Sequence, residues 1–263
     1  MPTWLTTILL GCIEGITEFL PISSTGHLLL FELWVGDHRS DLFNIVIQAG
    51  AVIAVIPLFR ERVSRLLFDW RRPEVRDYGI KLGVAFGITG VGGVLLDKAG
   101  FQLADRPVPV AVALLVGGVL FLAVERYFAP PDPTDHIGWN IAIAVGLGQL
   151  VAAIFPGASR SGTTILLCLI LGLTRTAATE FSFLVGIPTM LAASGLKIVK
   201  ALLRSPVSGP GEDWAAVALG FAVSAVVSFL TVRWLLGYVR HHTFAVFGWY
   251  RIALALVVLA VTR

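Results

Sequence analysis

Two carboxylates lie four residues apart in a strongly apolar stretch near the start of the chain. Glu14 and Glu18 would share one face of a helix, because residues at positions i and i+4 are neighbours on its surface. Pro21 is expected to end that helix, since proline lacks an N–H and clashes with the preceding turn. Paired carboxylates have no evident structural use in an apolar helix, so they predict a site for Mg²⁺ or Ca²⁺ or for acid–base chemistry.

Hydroxyl groups and an imidazole follow Pro21 directly. Ser23, Ser24 and Thr25 belong to residue types that cap helix N-termini, and His27 would lie in the first turn of the next helix. Ser23 and Thr25 could therefore be caps alone, or could also bind a substrate. Ser24 is the candidate nucleophile and His27 the candidate proton shuttle. Attack by a metal-bound water, with Ser24 only binding phosphate, is the alternative.

A second break of the same kind lies between Pro156 and Thr164. Arg160 presents a planar, permanently charged fork that matches phosphate oxygens, and the free N–H groups of the helix that it begins also suit an anion. This break therefore predicts a phosphate cradle. Its candidate substrate-binding residues are Ser159, Ser161, Gly162 and Thr164. Arg160 could instead pair with Glu18, and that pair would still belong to the site.

The composition is that of a protein that crosses a membrane several times. Over 263 residues the mean hydropathy is +0.84 and only 14% of residues are charged, which excludes an ordinary soluble protein. The net charge of +3 needs no nucleic acid to explain it, because many of the arginines cluster in one loop. Cys12 and Cys168 both lie in apolar runs, so we expect two buried free thiols and no disulfide.

The apolar segments form the same pattern twice. Each copy begins with two apolar pieces around a polar break, and the piece after the break is shorter than the roughly 20 residues that a membrane span needs. We therefore expect a re-entrant hairpin followed by three spans in each half. The predicted segments are about 3–35, 42–59, 80–96 and 107–124 in the first half, 1–128, and about 137–173, 178–196, 214–232 and 244–262 in the second half, 137–263.

The two halves are predicted to be inverted repeats. Pro21 aligns with Pro156 and Glu14 with Gln149, and each half has an odd number of crossings. Successive halves then enter the membrane from opposite sides, and such repeats place broken helices and a binding site near the midplane. The predicted fold is an all-α integral membrane protein with six full spans and two re-entrant pairs.

The charge distribution predicts which side faces the cytoplasm. The loop from residue 60 to residue 77 holds six arginines, and cytoplasmic loops carry an excess of basic residues. The first hairpin would then enter from the outside and the second from the inside. Glu180 and Arg251 are the other charges expected at membrane depth, where a mutual ion pair would neutralise both.

The two polar breaks together resemble the motifs of a known family. It is the bacterial undecaprenyl-diphosphate phosphatase family of the bacitracin-resistance type, and the resemblance extends over essentially the whole chain, including Glu180-Phe181-Ser182-Phe183-Leu184 and Tyr250-Arg251. The motifs read Glu14-Gly15-x-Thr17-Glu18-Phe19-Leu20-Pro21-x-Ser23-Ser24-Thr25-Gly26-His27 and Pro156-Gly157-x-Ser159-Arg160-Ser161-Gly162-x-Thr164. The resemblance implies a phosphatase of the bacterial plasma membrane that depends on a divalent metal and opens to the outer side.

The expected reaction converts undecaprenyl diphosphate to the monophosphate and so recycles the carrier lipid of peptidoglycan and cell-wall synthesis. Bacitracin binds the substrate lipid, so the resemblance also implies bacitracin resistance. In our interpretation Arg160 holds the diphosphate, Glu14 and Glu18 hold the metal, and Ser24 attacks. Because inverted repeats are also transporter architecture, a lipid-phosphate flippase is the alternative, and a passive ion or anion carrier is a weaker one. The expected partners are membrane lipids, and a homodimer is an alternative to a single chain.

Overall fold

A computed structural model of the chain describes residues 2–36, 39–100, 106–128, 132–203 and 213–262, with the side chains of 201–203 excepted. The predicted repeats also run over residues outside these ranges. Apart from an isolated β-bridge between Thr134 and Leu173, the described secondary structure is helical. The helices are α1 Thr3–Thr17, α2 Ser24–Val35, α3 Asp41–Val55, α4 Arg60–Phe68, α5 Pro73–Lys98, α6 Pro107–Tyr127, α7 Trp139–Ile154, α8 Arg160–Ile170, α9 Arg175–Leu203, α10 Trp214–Tyr238 and α11 Ala245–Val261.

Five helical segments are long and apolar enough to cross a membrane. They are Asp41–Phe68, which joins α3 and α4 through a 3₁₀ turn, Pro73–Lys98, Pro107–Tyr127, Arg175–Lys200 and Trp214–Tyr238. The predicted all-α integral membrane protein is therefore confirmed. The sixth predicted span, about 244–262, corresponds to α11, which has 17 residues, so its complete crossing stays a prediction.

The first and seventh helices are followed by short helices after a break, as the polar motifs predicted. Helix α1 ends at Thr17 and α2 begins at Ser24, while α7 ends at Ile154 and α8 begins at Arg160. Each of these four helices has between 11 and 16 residues, which is shorter than a membrane span. The backbone between them must therefore be buried in protein or line a wet cavity.

Small residues let each broken helix pack closely on a long one. A Cβ atom at Gly11 of α1 would lie 2.9 Å from the Gly220 carbonyl oxygen of α10. A Cβ atom at Gly146 of α7 would lie 2.9 Å from the Ala85 carbonyl oxygen of α5. Helices in a membrane associate through such close backbone contacts, because burial of apolar surface provides little driving force in lipid.

Helices α6 and α11 cross through a reciprocal glycine contact. A Cβ at Gly118 would lie 2.7 Å from the Gly248 carbonyl oxygen, and a Cβ at Gly248 would lie 2.9 Å from the Gly118 carbonyl oxygen. Phe244 bonds to Glu125, whereas Arg251, further towards the end of α11, bonds to Leu114, which lies nearer the start of α6. The two helices therefore run antiparallel. This crossing brings α11 against both helix breaks.

Two of the predictions from the sequence are wrong. The segment from residue 60 to residue 77 is not a loop, because α4 continues the preceding span and α5 begins at Pro73, where a proline suits the first helical turn. Glu180 does not pair with Arg251. Its Oε1 accepts a hydrogen bond from Arg62 Nε at 2.7 Å, because Glu180 lies near the start of α9, at the end of the molecule where α4 begins. The predicted free thiols are confirmed at Cys12, which is half-buried, and Cys168, which is buried.

Candidate active site

Both breaks end in the same capping turn. Ser23 and Ser159 precede α2 and α8, and among the described residues they are the non-glycine residues with positive φ, at 73° and 67°. Their side chains accept hydrogen bonds from the backbone N–H groups of Gly26, at 3.4 Å, and Gly162, at 3.1 Å. A serine in this conformation costs about 1–3 kcal/mol, which indicates that the surrounding structure imposes the turn. Capping is thus one role of both serines.

Glu18 joins the two breaks. Its Oε2 accepts a hydrogen bond from Ser24 Oγ at 2.6 Å, and its Oε1 accepts one from Arg160 Nη2 at 3.1 Å. The Glu18 and Arg160 side chains are 6% and 17% exposed, so this ion pair is shielded from bulk solvent. A carboxylate bonded to a hydroxyl is placed to accept its proton, and the arginine fork has further donors for phosphate oxygens.

Glu14 supplies a second carboxylate beside Glu18. It is 1% exposed, and within the described part of the chain its Oε1 has no hydrogen-bond partner. Glu18 follows one helical turn later and is also buried. Two buried carboxylates one turn apart require a proton or a cation to offset their charge, so the orphaned oxygen is consistent with a metal site.

The donor set fits a hard divalent cation that also binds substrate. Among the described residues no group of three or more histidine, cysteine, aspartate or glutamate side chains is arranged to hold a metal ion. Mg²⁺ is usually bound by one or two carboxylates together with water and substrate phosphates, which is what Glu14 and Glu18 offer. The residues therefore fit the predicted Mg²⁺ or Ca²⁺ when a phosphate is bound.

His27 does not contact Ser24 through a hydrogen bond. Its Nδ1 lies 2.7 Å from the Ser23 carbonyl oxygen, and its Nε2 lies 2.7 Å from the Tyr250 hydroxyl. Ser24 donates to Glu18 instead. In this arrangement Glu18 is placed to take the Ser24 proton, and the role of His27 as a proton shuttle stays a prediction.

The other predicted substrate-binding residues contribute mainly to the shape of the second break. Ser161 Oγ donates to the Leu20 carbonyl oxygen at 3.1 Å, and Thr164 Oγ1 donates to the Arg160 carbonyl oxygen at 2.9 Å. Ser161 thus ties the second break to the first. Thr25 is exposed at the start of α2, where it is accessible to a ligand.

The family model of the bacitracin resistance protein BacA matches residues 7–257 of this chain. The chain belongs to the BacA family. Among its relatives, the undecaprenyl-diphosphatase of Rhizobium etli is 50% identical over 260 residues, which cover 98% of this chain and 97% of that protein. The undecaprenyl-diphosphatases of Xylella fastidiosa and Xanthomonas axonopodis pv. citri are 49% and 48% identical over 97% of this chain, and the matches cover 97% and 95% of those proteins. The family expected from the two motifs is confirmed.

Sequence reasoning missed the part that Arg251 has in this BacA site. The side chain is fully buried, and its guanidinium donates to carbonyl oxygens of both breaks, at Pro21 (3.1 Å), Gly157 (3.1 Å) and Ala158 (3.0 Å). It also donates to the carbonyl oxygens of Ala113 and Leu114 in α6. Backbone carbonyls are common partners of charges inside membranes, and unwound segments expose them. The available signal was the Tyr250-Arg251 pair, which fits the family but has no acidic neighbour in sequence.

Proposed function

We propose that this protein is an undecaprenyl-diphosphatase, which hydrolyses undecaprenyl diphosphate to undecaprenyl phosphate and inorganic phosphate. Relatives with about half of their residues identical carry that name, and the BacA family name includes bacitracin resistance. The observation that carries the proposal is the set of hydrogen bonds from Ser24 and Arg160 to Glu18, which joins the two breaks. The reaction returns the carrier lipid to peptidoglycan and cell-wall polymer synthesis.

In the proposed chemistry, Arg160 and the N–H groups at the start of α8 hold the diphosphate. Ser24 Oγ attacks the terminal phosphorus while Glu18 Oε2, 2.6 Å away, accepts the hydroxyl proton. The bridging P–O bond breaks and undecaprenyl phosphate leaves, after which water releases inorganic phosphate from the serine. Direct attack by water, with Ser24 binding phosphate, is the alternative.

A divalent cation is part of the proposal. Glu14 and Glu18 would hold Mg²⁺ or Ca²⁺, which offsets negative charge on the transferring phosphoryl group when it is bound. The orphaned Glu14 Oε1 supports this assignment, because a buried carboxylate oxygen without a partner is costly.

We further propose the inverted-repeat topology, with 1–128 and 137–263 as the repeats. Three observations support it. The capping turns at Ser23 and Ser159 match, the contacts of Gly118 and Gly248 are reciprocal, and α6 and α11 are antiparallel. A two-fold axis in the membrane plane would relate the halves in this way.

The proposed orientation has the arginine-rich face in the cytoplasm of the bacterial plasma membrane and the site open to the outer side. In a variant without the two native cysteines, a cysteine introduced between residues 62 and 76 should be protected from membrane-impermeant thiol reagents in intact cells. A cysteine at position 100 should react. The reverse pattern would overturn the orientation. A homodimer stays a prediction.

A lipid-phosphate flippase is the second candidate, and the matched broken helices favour it, since such helices are common in transporters. Phosphate release by detergent-solubilised protein separates the two functions, because detergent leaves no second compartment. We expect release of phosphate from undecaprenyl diphosphate. A folded, metal-loaded protein that releases none would reject hydrolysis and favour transport.

A further inference from the structure

Tyr250 contacts the candidate site from α11, a helix far from the polar motifs in sequence. Its hydroxyl lies 2.7 Å from His27 Nε2. The two rings are stacked nearly parallel, with centroids 5.6 Å apart and an interplanar angle of 4°. The next residue, Arg251, is fully buried and bonded to both breaks, so the part of α11 that carries Tyr250 is held firmly against the site.

The partners of His27 determine which ring nitrogen carries the proton. Nδ1 faces the Ser23 carbonyl oxygen at 2.7 Å, and a carbonyl oxygen can only accept, so Nδ1 carries the hydrogen. In the neutral ring Nε2 is then an acceptor, and the Tyr250 hydroxyl is its donor. Both nitrogens are satisfied, which fixes the tautomer and the ring orientation.

We infer that Tyr250 is a positioning residue for His27, the predicted proton shuttle, in the phosphatase reaction. Ser24 and His27 are three residues apart in α2, so their side chains share one face of that helix. The Tyr250 hydroxyl holds the imidazole on this face with Nε2 as the acceptor. Without the hydroxyl, the ring would lose one of its two anchors and would populate other orientations. This inference rests on the proposed phosphatase function.

A double-mutant cycle tests whether Tyr250 acts through His27. Tyr250→Phe removes the hydroxyl and keeps the stacked ring, and we expect it to lower kcat about tenfold, the typical worth of one such hydrogen bond, with KM and Tm unchanged. In a His27→Ala background the same change should have no further effect. Trp249→Phe is the matched control, since Trp249 lies beside Tyr250 in α11, is 63% exposed and should tolerate the change.

Two results would overturn the inference. One is a Tyr250→Phe variant with kcat within about twofold of wild type. The other is an equal loss in both backgrounds, which is the additive behaviour expected of a structural effect unrelated to His27.

A substrate-free measurement separates this inference from the proposed function. In protein labelled with ¹⁵N-histidine, with the His27 signals assigned from a His27→Gln spectrum, Nδ1 should be protonated and Nε2 should be an acceptor. Tyr250→Phe should shift the Nε2 signal. A protonated Nε2 in wild type, or no shift in the variant, would reject the positioning role. Lack of phosphate release by wild type would instead count against the phosphatase function.

A cavity of about 450 Å³ lies between the start of α4, the start of α9 and the end of α10. Four arginines line it beside apolar residues that include Leu58 and Leu236, and these arginines are Arg60, Arg62, Arg65 and Arg240. The Arg62 side chain is paired with Glu180, whereas the guanidinium groups of Arg60, Arg65 and Arg240 have no hydrogen-bond or ion-pair partner within the described residues.

We propose that this cavity binds the phosphate headgroup of an anionic phospholipid. Three unpaired guanidinium groups beside an apolar wall match an amphiphile that has a phosphate at one end and acyl chains at the other. Basic pockets between membrane helices are known to hold such headgroups. Leu67 and Phe68 at the end of α4, 68% and 82% exposed, would lie in the same interfacial layer.

The test is retention of lipid by purified protein. Protein extracted from membranes that contain phosphatidylglycerol and phosphatidylcholine would be analysed by native mass spectrometry. We expect wild type to retain phosphatidylglycerol selectively. The variant Arg60→Gln/Arg65→Gln/Arg240→Gln should lose this binding about a hundredfold, since each arginine near an anionic lipid is worth roughly fivefold. The control Arg71→Gln/Arg72→Gln/Arg76→Gln removes equal charge from the same segment of the chain, outside the cavity, and should retain the lipid.

Equal loss in both triple variants would reduce the effect to general surface charge and overturn the proposal. So would equal retention of phosphatidylcholine. Added inorganic phosphate distinguishes a headgroup site from a free-phosphate site. Displacement of the lipid by phosphate alone, at millimolar concentration, would reassign the cavity to a soluble anion.

Discussion

Substitution of Gly186 in α9 can displace the Arg160 side chain while Arg160 itself remains unchanged. A Cβ atom at Gly186 would lie 1.7 Å from Arg160 Nη1, so alanine cannot be accommodated while the guanidinium keeps its place. The clashing atom is the end of a flexible side chain, which can swing away, so the fold should tolerate Gly186→Ala. The substitution therefore tests the position of the arginine rather than its presence.

The size of the effect follows from the geometry. To reach a normal non-bonded separation of roughly 3.5 Å, Nη1 must move by about 1.5–2 Å. That shift would break the 3.1 Å hydrogen bond from Arg160 Nη2 to Glu18 Oε1. Misplacement of a catalytic group by about 1 Å can cost a hundredfold, so we expect kcat/KM to fall at least about a hundredfold, or roughly 3 kcal/mol in the barrier.

The assay is phosphate release from undecaprenyl diphosphate by purified protein, with Tm as the measure of folding. Gly195→Ala is the matched control, because Gly195 lies in the same helix and a Cβ there would meet no atom within 4 Å. It should keep full activity with equal or slightly higher Tm, since alanine is the better helix former by about 1 kcal/mol. If Gly186→Ala kept near wild-type activity, the position of Arg160 would not matter and the phosphate cradle would lose its main support.

Four further predictions address the chemistry of the site. Glu18→Gln should keep the fold but lower phosphate release at least about a hundredfold, and a chelator should abolish wild-type activity until Mg²⁺ or Ca²⁺ is restored; full activity in chelator would reject the metal role. Ser24→Ala should cost about a hundredfold or more if Ser24 attacks, whereas a rate within about tenfold of wild type would favour attack by water. Arg160→Lys should lose about a hundredfold, because lysine is a point charge without the fork; near wild-type turnover would make Arg160 a bulk counter-charge only.

The sequence was sufficient for what depends on local chemistry. Proline and hydroxyl residues in apolar runs predicted both breaks, and the hydropathy predicted the membrane-spanning helices. The pairing of Arg160 with Glu18 was anticipated as one alternative, because two opposite charges inside an apolar protein have few other partners.

The contacts that were not predicted from the sequence depend on how the helices are placed relative to one another. Glu180 and Arg251 are both charged, but they lie at different heights, and Glu180 reaches Arg62 instead. Pro21 aligns with Pro156 in the sequence, while the capping turns match Ser23 with Ser159, one residue further along, and the repeat topology stays a proposal. The contact of Tyr250 with His27 joins residues 223 apart in the chain, and no local pattern predicts it.

The hydrogen bonds from Arg251 also bear on how the protein is made. The carbonyl oxygens of both breaks are tied together by a side chain in α11, the last described helix. During synthesis the first break therefore enters the membrane long before its tie exists, and the site is completed only when α11 has been inserted. A chain without α11 would carry Glu18, Ser24 and Arg160 yet leave them unassembled, so enzymatic activity would report that α11 has been inserted and packed.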